Sequence, residues 1–230
     1  MPNALVGAQE QPGAGDACDV AWVAALSPAV GGEVRAALAA YGGRLVRWPL
    51  DRATPIRVWV QPVPQGAGSG PPPASSPGAS PESFAVLPAA WAWAAGAGAR
   101  DWDGVVRGLR VAPARDSAVA EVHVTWERVG GDHPGRAAEA THGHTAVLAS
   151  RAGVIEGADV VLGVPRATAR ATSADVRAVA AHEFGHVLGL VHQTGARSAM
   201  MAGVRADGPS ARDRAVLRAW YALPDAAACR

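Results

Sequence analysis

Hydrophobic and polar positions change their period along the chain. From residue 56 to 61 they alternate, Ile56, Val58 and Val60 against Arg57, Trp59 and Gln61, which is the period of a half-buried strand. The same period returns over residues 120–126, where Val122, Val124 and Trp126 oppose Glu121, His123 and Thr125. Apolar runs at 105–111, 145–149 and 158–164 predict three more strands, and 44–48 offers a further short one. From residue 172 the period becomes helical. Thr172 and Asp175 form a capping box ahead of Val176, Val179, Phe184 and Val187, and Gly189 supplies a left-handed stop. Ser210 and Asp213 open a second such helix, with Val216, Leu217, Trp220 and Tyr221 on its apolar stripe and Pro224 ending it. Earlier helices are predicted at 33–41, where Val34, Leu38 and Tyr41 share a face, and from Ser80 or Ser83 through about residue 95.

This pattern divides the chain into an extension over residues 1–53 and one domain over 54–230. No catalytic residue type is concentrated in the extension, whose role reads as packing or covering. Within the domain, residues 62–81 are rich in Pro, Gly and Ser and predict a flexible surface loop, because they carry too little apolar surface to bury.

Composition narrows the function. A hydrophobic share of 49% against 18% charged in 230 residues supports a buried core. The net charge of +1 is dispersed, which argues against nucleic-acid binding and against a membrane surface. All 21 basic residues are arginines, so a Walker phosphate loop, a Schiff-base enzyme and a kinase are excluded for want of a lysine. Cys18 and Cys229 sit too far apart for a CxxC motif; one bridge between the ends and two separate thiols both fit. The start lacks the basic and apolar segments of a secretory signal, and residues 84–99 fall short of the ~20 needed to span a bilayer.

Chemistry concentrates in one stretch, His182-Glu183-Phe184-Gly185-His186-Val187-Leu188-Gly189-Leu190-Val191-His192. On a helix, His182 and His186 lie one turn apart and present both imidazoles to one ion. Glu183 stands about 100° further round, where it can reach a water beside that ion as a general base. A turn at Gly189 brings His192 back toward the same point. Three neutral nitrogens with a fourth position open is the arrangement of a catalytic zinc rather than a structural one. The competing reading, an ordinary polar helix face, requires a coincidence of about 10⁻⁷ per starting position.

These residues resemble the metzincin zinc peptidases, whose signature is H-E-x-x-H-x-x-G-x-x-H followed by a methionine turn. Met200, within Ser198-Ala199-Met200-Met201, matches that turn. Within the clan the chain is similar to matrixins, through residues 179–186, the helix at 210–224 and, more loosely, Ala120-Glu121-Val122. The resemblance implies an α+β fold with a five-stranded mixed sheet packed on helices, including an active-site helix and a C-terminal helix. It also implies that Met200 floors the metal, and that Ala146, Val147, Leu148 and Ala149 form an edge along which an extended substrate adds as another strand. The residues before that edge depart from the family. Gly130-Gly131-Asp132-His133 and Val160 lack its structural-ion ligands, so a second zinc or calcium is not expected, and His133, His142 and His144 read as loop histidines. Gln193 replaces the matrixin serine, and Cys18 lacks the cysteine-switch flanks.

The expected activity is therefore a zinc-dependent metalloendopeptidase with one catalytic Zn²⁺, acting on protein or peptide substrates as a monomer. Action outside the cytoplasm follows from the resemblance alone. Two other classes remain open at this point: a zinc-binding interaction module that no longer cuts, and a zinc amidase for a small substrate.

Overall fold

In the computed structural model, which describes residues 5–7, 21–62, 89–129, 143–165, 172–194, 197–203 and 206–224, one mixed sheet organises the fold. Its strands are β1 (Leu5–Gly7), β2 (Ile56–Val60), β3 (Val111–Pro113), β4 (Val122–Val129), β5 (Gly143–Ala149) and β6 (Ile155–Pro165). They lie in the order β1-β5-β6-β4-β2-β3. Parallel pairings join β3, β2, β4 and β6, and β5 then runs antiparallel to β6. These five strands make the α+β mixed sheet that the sequence predicts. The short β1 adds a sixth, pairing antiparallel with β5 in the register Leu5↔Leu148, Val6↔Val147, Gly7↔Ala146.

Alternation along the strands buries Ile56 and Val58 of β2 with Val122 and Val124 of β4. On the sheet, α3 (Ala89–Arg100) packs against β2 and β3 and α4 (Ser173–Val187) against β5 and β6, the two helices also packing on each other. The α2 helix (Pro28–Ala40) lies on α5 (Ala211–Ala222) and follows the single turn α1 (Ala21–Ala24). Both capping boxes form as the sequence predicts. The Thr172 hydroxyl accepts from Asp175 N while the Asp175 carboxylate accepts from Thr172 N, and Ser210 and Asp213 repeat the exchange on α5. Among the described residues no helix is long and apolar enough to cross a membrane.

Three expectations are corrected. The apolar run at 105–111 is not a strand until Val111. Asp103 accepts hydrogen bonds from the Arg110 guanidinium and from Val111 N, and this folds the preceding residues into turns that bury Val105, Val106 and Leu109 without pairing. Residues 44–48 contribute only an isolated parallel bridge, Arg47↔Val154. The α3 helix runs on to Arg100, held there by packing against α4. Residues 63–81 of the expected flexible loop, with Ser80 and Ser83, lie outside the described residues, as do Cys18 and Cys229.

The core runs across residue 54. Val34, Leu38, Tyr41, Val46 and Trp48 share one buried cluster with Phe184, Val187, Leu217 and Trp220. Polar atoms knit the same region. Trp48 Nε1 donates to Val187 O at the end of α4, and Trp220 Nε1 donates to Val46 O. Tyr221 Oη donates to Leu188 O and accepts from Trp48 N. The Arg47 guanidinium donates to the carbonyls of Trp220, Tyr221 and Leu223, which the helix end of α5 leaves unpaired.

Candidate metal centre

The α4 helix carries His182 and His186 on one face, and its C-terminal turn carries the chain back over them. Gly189 adopts φ +89°, the left-handed region. Gly189 N donates to His186 O and Leu190 N to Gly185 O, the paired bonds of a Schellman stop. A side chain at residue 189 would also collide with Val46 O, so the conformation and the packing both demand glycine. Beyond this stop the chain returns His192 to the other two rings.

The three imidazoles converge as the sequence predicts. His182 Nε2 lies 3.2 Å from His186 Nε2 and 3.3 Å from His192 Nε2. Backbone carbonyls orient two of the rings. His182 Nδ1 stands 2.6 Å from Ala199 O, and His186 Nδ1 stands 2.8 Å from Leu190 O. A carbonyl can only accept, so both Nδ1 atoms carry the hydrogen and both Nε2 atoms carry lone pairs. Burial holds His182 and His186 below their ordinary range, His186 to about 3, and partial desolvation by the atoms packed near it also lowers the more exposed His192, which keeps all three neutral and ligand-competent.

Lone pairs facing each other at this distance repel unless a cation lies among them. In a tetrahedron with metal–nitrogen bonds of about 2.0–2.1 Å, the nitrogens stand about 3.3–3.4 Å apart. The spacings found here fit that figure, and the all-nitrogen donor set suits zinc. Among the described residues this is the one group of three His, Cys, Asp or Glu side chains able to hold a metal ion. His144 is exposed and outside it, and His133 and His142 lie beyond the described residues.

Glu183 is buried beside the triad. Thr145 Oγ1, on β5, donates to Glu183 Oε2 at 2.7 Å and also approaches Glu183 O at 3.1 Å. Burial pushes the carboxyl up to about 7, against the opposing pull of the Thr145 hydroxyl. No motif in the sequence singles out Thr145. Its signal was a polar residue in phase with Val147 and Ala149 on the buried face of β5.

Met200, in the turn that follows the third histidine, is fully buried. It approaches α4 so closely that a Cβ on Gly185 would overlap its thioether, so glycine at 185 is what lets the turn dock. Asp213 fixes that turn from α5. Besides closing its capping box, its carboxylate accepts from Ser198 Oγ and Ala199 N. Ser198 Oγ in turn accepts from Met200 N. Since Ala199 O receives the His182 Nδ1 hydrogen, a continuous path of hydrogen bonds links the first turn of α5 to the first imidazole. The sequence marked Asp213 only as a cap; its second role depends on a contact 14 residues away.

Of the predicted substrate edge, Ala146, Val147 and Leu148 are the residues that pair with β1, and Ala149 follows a register break. The buried Gln193 donates from its backbone N to Met200 O, and its side-chain amide finds no partner among the described residues.

The family model for matrixins, the M10 peptidases, matches residues 73–218, more than half of the chain and all of the site. No curated protein matches.

Replacing Asp213 with Ala removes three hydrogen bonds to a buried carboxylate and is expected to cost about 3 kcal/mol. Chemical denaturation measures this, and an unchanged midpoint would contradict the assigned network.

Proposed function

The chain belongs to the matrixins, a family of zinc metalloproteases, and on that footing we propose that it hydrolyses internal peptide bonds, with His182, His186 and His192 as metal ligands and Glu183 as general base. One observation carries the reading: two Nε2 lone pairs, fixed by the carbonyls bound at Nδ1, meet a third imidazole at tetrahedral-edge spacing.

Zinc held there supplies a Lewis acid that polarises the scissile carbonyl and acidifies water. The remaining steps belong to the chain. Glu183 takes a proton from the attacking water as its oxygen bonds to the carbonyl carbon. The same carboxyl then delivers that proton to the amide nitrogen as the carbon–nitrogen bond breaks. Thr145, by holding Oε2, keeps the carboxylate turned toward the reacting atoms. Met200, which is fully buried, is the residue that the resemblance assigns as an apolar floor for the rings.

An extended substrate adds along β5 at Ala146, Val147, Leu148 and Ala149, with backbone bonds supplying affinity. That edge is the one β1 occupies, in antiparallel register. Substrate and β1 therefore compete for the same row of backbone groups.

Glu183→Ala is expected to abolish cleavage of a quenched peptide library while zinc content stays at one per chain. Near-normal proteolysis would eliminate the general-base role. In the unsubstituted protein, chelator-sensitive cleavage supports the endopeptidase; zinc binding without cleavage of peptides or small amides would indicate a non-cutting module, and cleavage of small amides alone an amidase. Removing residues 1–20 is expected to lower KM for peptides several-fold with kcat little changed; an unaltered KM would show that β1 does not compete with substrate.

A further inference from the structure

The three candidate ligands are not held alike. His182 and His186 stand on a helix with Nδ1 bonded to a carbonyl, whereas His192 stands on a loop, is exposed, and has no Nδ1 partner among the described residues. Its direction depends on how the backbone after it is fixed. Gln193 N is fixed by Met200 O. The next residue is fixed by a group from the far end of the chain. Glu33, in α2 and only 4% exposed, accepts hydrogen bonds at Oε1 from both Thr194 N and Thr194 Oγ1, each at 3.2 Å. The same oxygen accepts from Arg212 Nη2 in the first turn of α5, so Glu33 ties the ligand loop and α5 to one point.

We propose that Glu33 is a positioning residue for the third metal ligand, and that the α2 segment thereby belongs to the metal site. The proposal rests on the metalloprotease reading given above. A buried carboxylate has few ways to satisfy its acceptors, and this one spends a single oxygen on both donors of Thr194. A ligand on an unanchored loop has to be ordered when metal arrives, and that ordering weakens affinity; an anchor two residues away removes the cost in advance. Outer groups that orient ligands typically change metal affinity ten- to a hundredfold when removed. Glu33 lies outside the family match at residues 73–218, so this anchor is a feature of the chain's own N-terminal segment.

Glu33 also joins α2 to α5 through Arg212, and a purely structural role has to be told apart from positioning. Glu33→Ala removes both functions, Glu33→Gln keeps an acceptor oxygen for Thr194, and Arg212→Met removes only the link to α5. Each full-length protein is read by zinc affinity in chelator competition, by the visible spectrum of its Co²⁺ form and by its melting temperature. Glu33→Ala is expected to weaken zinc at least tenfold and to alter the Co²⁺ bands. Glu33→Gln is expected to restore most of both, and Arg212→Met to lower the melting temperature with zinc affinity within about threefold of the unsubstituted protein. Thr194→Val, at an exposed site, should weaken zinc a few-fold and serves if Glu33→Ala does not fold. Wild-type zinc affinity and an unchanged Co²⁺ spectrum in folded Glu33→Ala, or unaltered affinity in Thr194→Val where the former does not fold, would overturn the proposal. If the unsubstituted protein takes up no zinc, the metalloprotease reading itself fails, an outcome visible before any variant is made.

Discussion

Two neutral imidazoles whose Nδ1 hydrogens are committed to backbone carbonyls are made to face each other with lone pairs 3.2 Å apart. Left alone, that arrangement is repulsive, and the remainder of the fold is built to sustain it. Ala199 O is fixed by the turn that Asp213 grips, and Leu190 O is fixed by the Schellman stop that Gly189 permits. Each constraint on a ring reaches back to an element boundary. Helix caps, usually a matter of helix stability, here set the direction of the chemistry.

The same economy governs burial. Desolvation lowers the basicity of all three histidines and raises that of Glu183, because it penalises whichever form is charged. One apolar surround thus favours uncharged nitrogens suited to a metal and a carboxyl with more appetite for a proton. The buried cluster to which α4 contributes Phe184 and Val187 is drawn from distant parts of the chain, with Met200 from the turn after the third histidine and Trp48 and Val46 from the N-terminal segment. The close approach of Met200 depends on the missing side chain at Gly185.

Much of this was legible in the sequence because it is local. The strand at Ile56–Val60, both capping boxes and the stop at Gly189 involve residues within a few positions of one another, and the structure reproduces them. The convergence of His182, His186 and His192 was legible for the same reason, since helical spacing and one turn bring them together. What stayed hidden depends on long-range partners. The apolar residues at 105–109 look like a strand but are buried in turns that Asp103 closes, and composition does not distinguish those two ways of burying valine. The grip of Asp213 on the methionine turn, the hydroxyl of Thr145 on Glu183 and the Glu33 contact with Thr194 join residues separated by 14 to 161 positions. Nor does any period in the sequence reveal that the first strand settles against β5.

Everything in the proposed site converges on a single cation held by nitrogen. Zinc-edge X-ray absorption on the purified full-length protein measures that most directly. Three imidazole nitrogens and one further light atom at about 2.0–2.1 Å, with the outer-shell scattering of three rings, is the predicted result. A sulfur shell near about 2.3 Å, fewer than three imidazoles, or no bound zinc would contradict it.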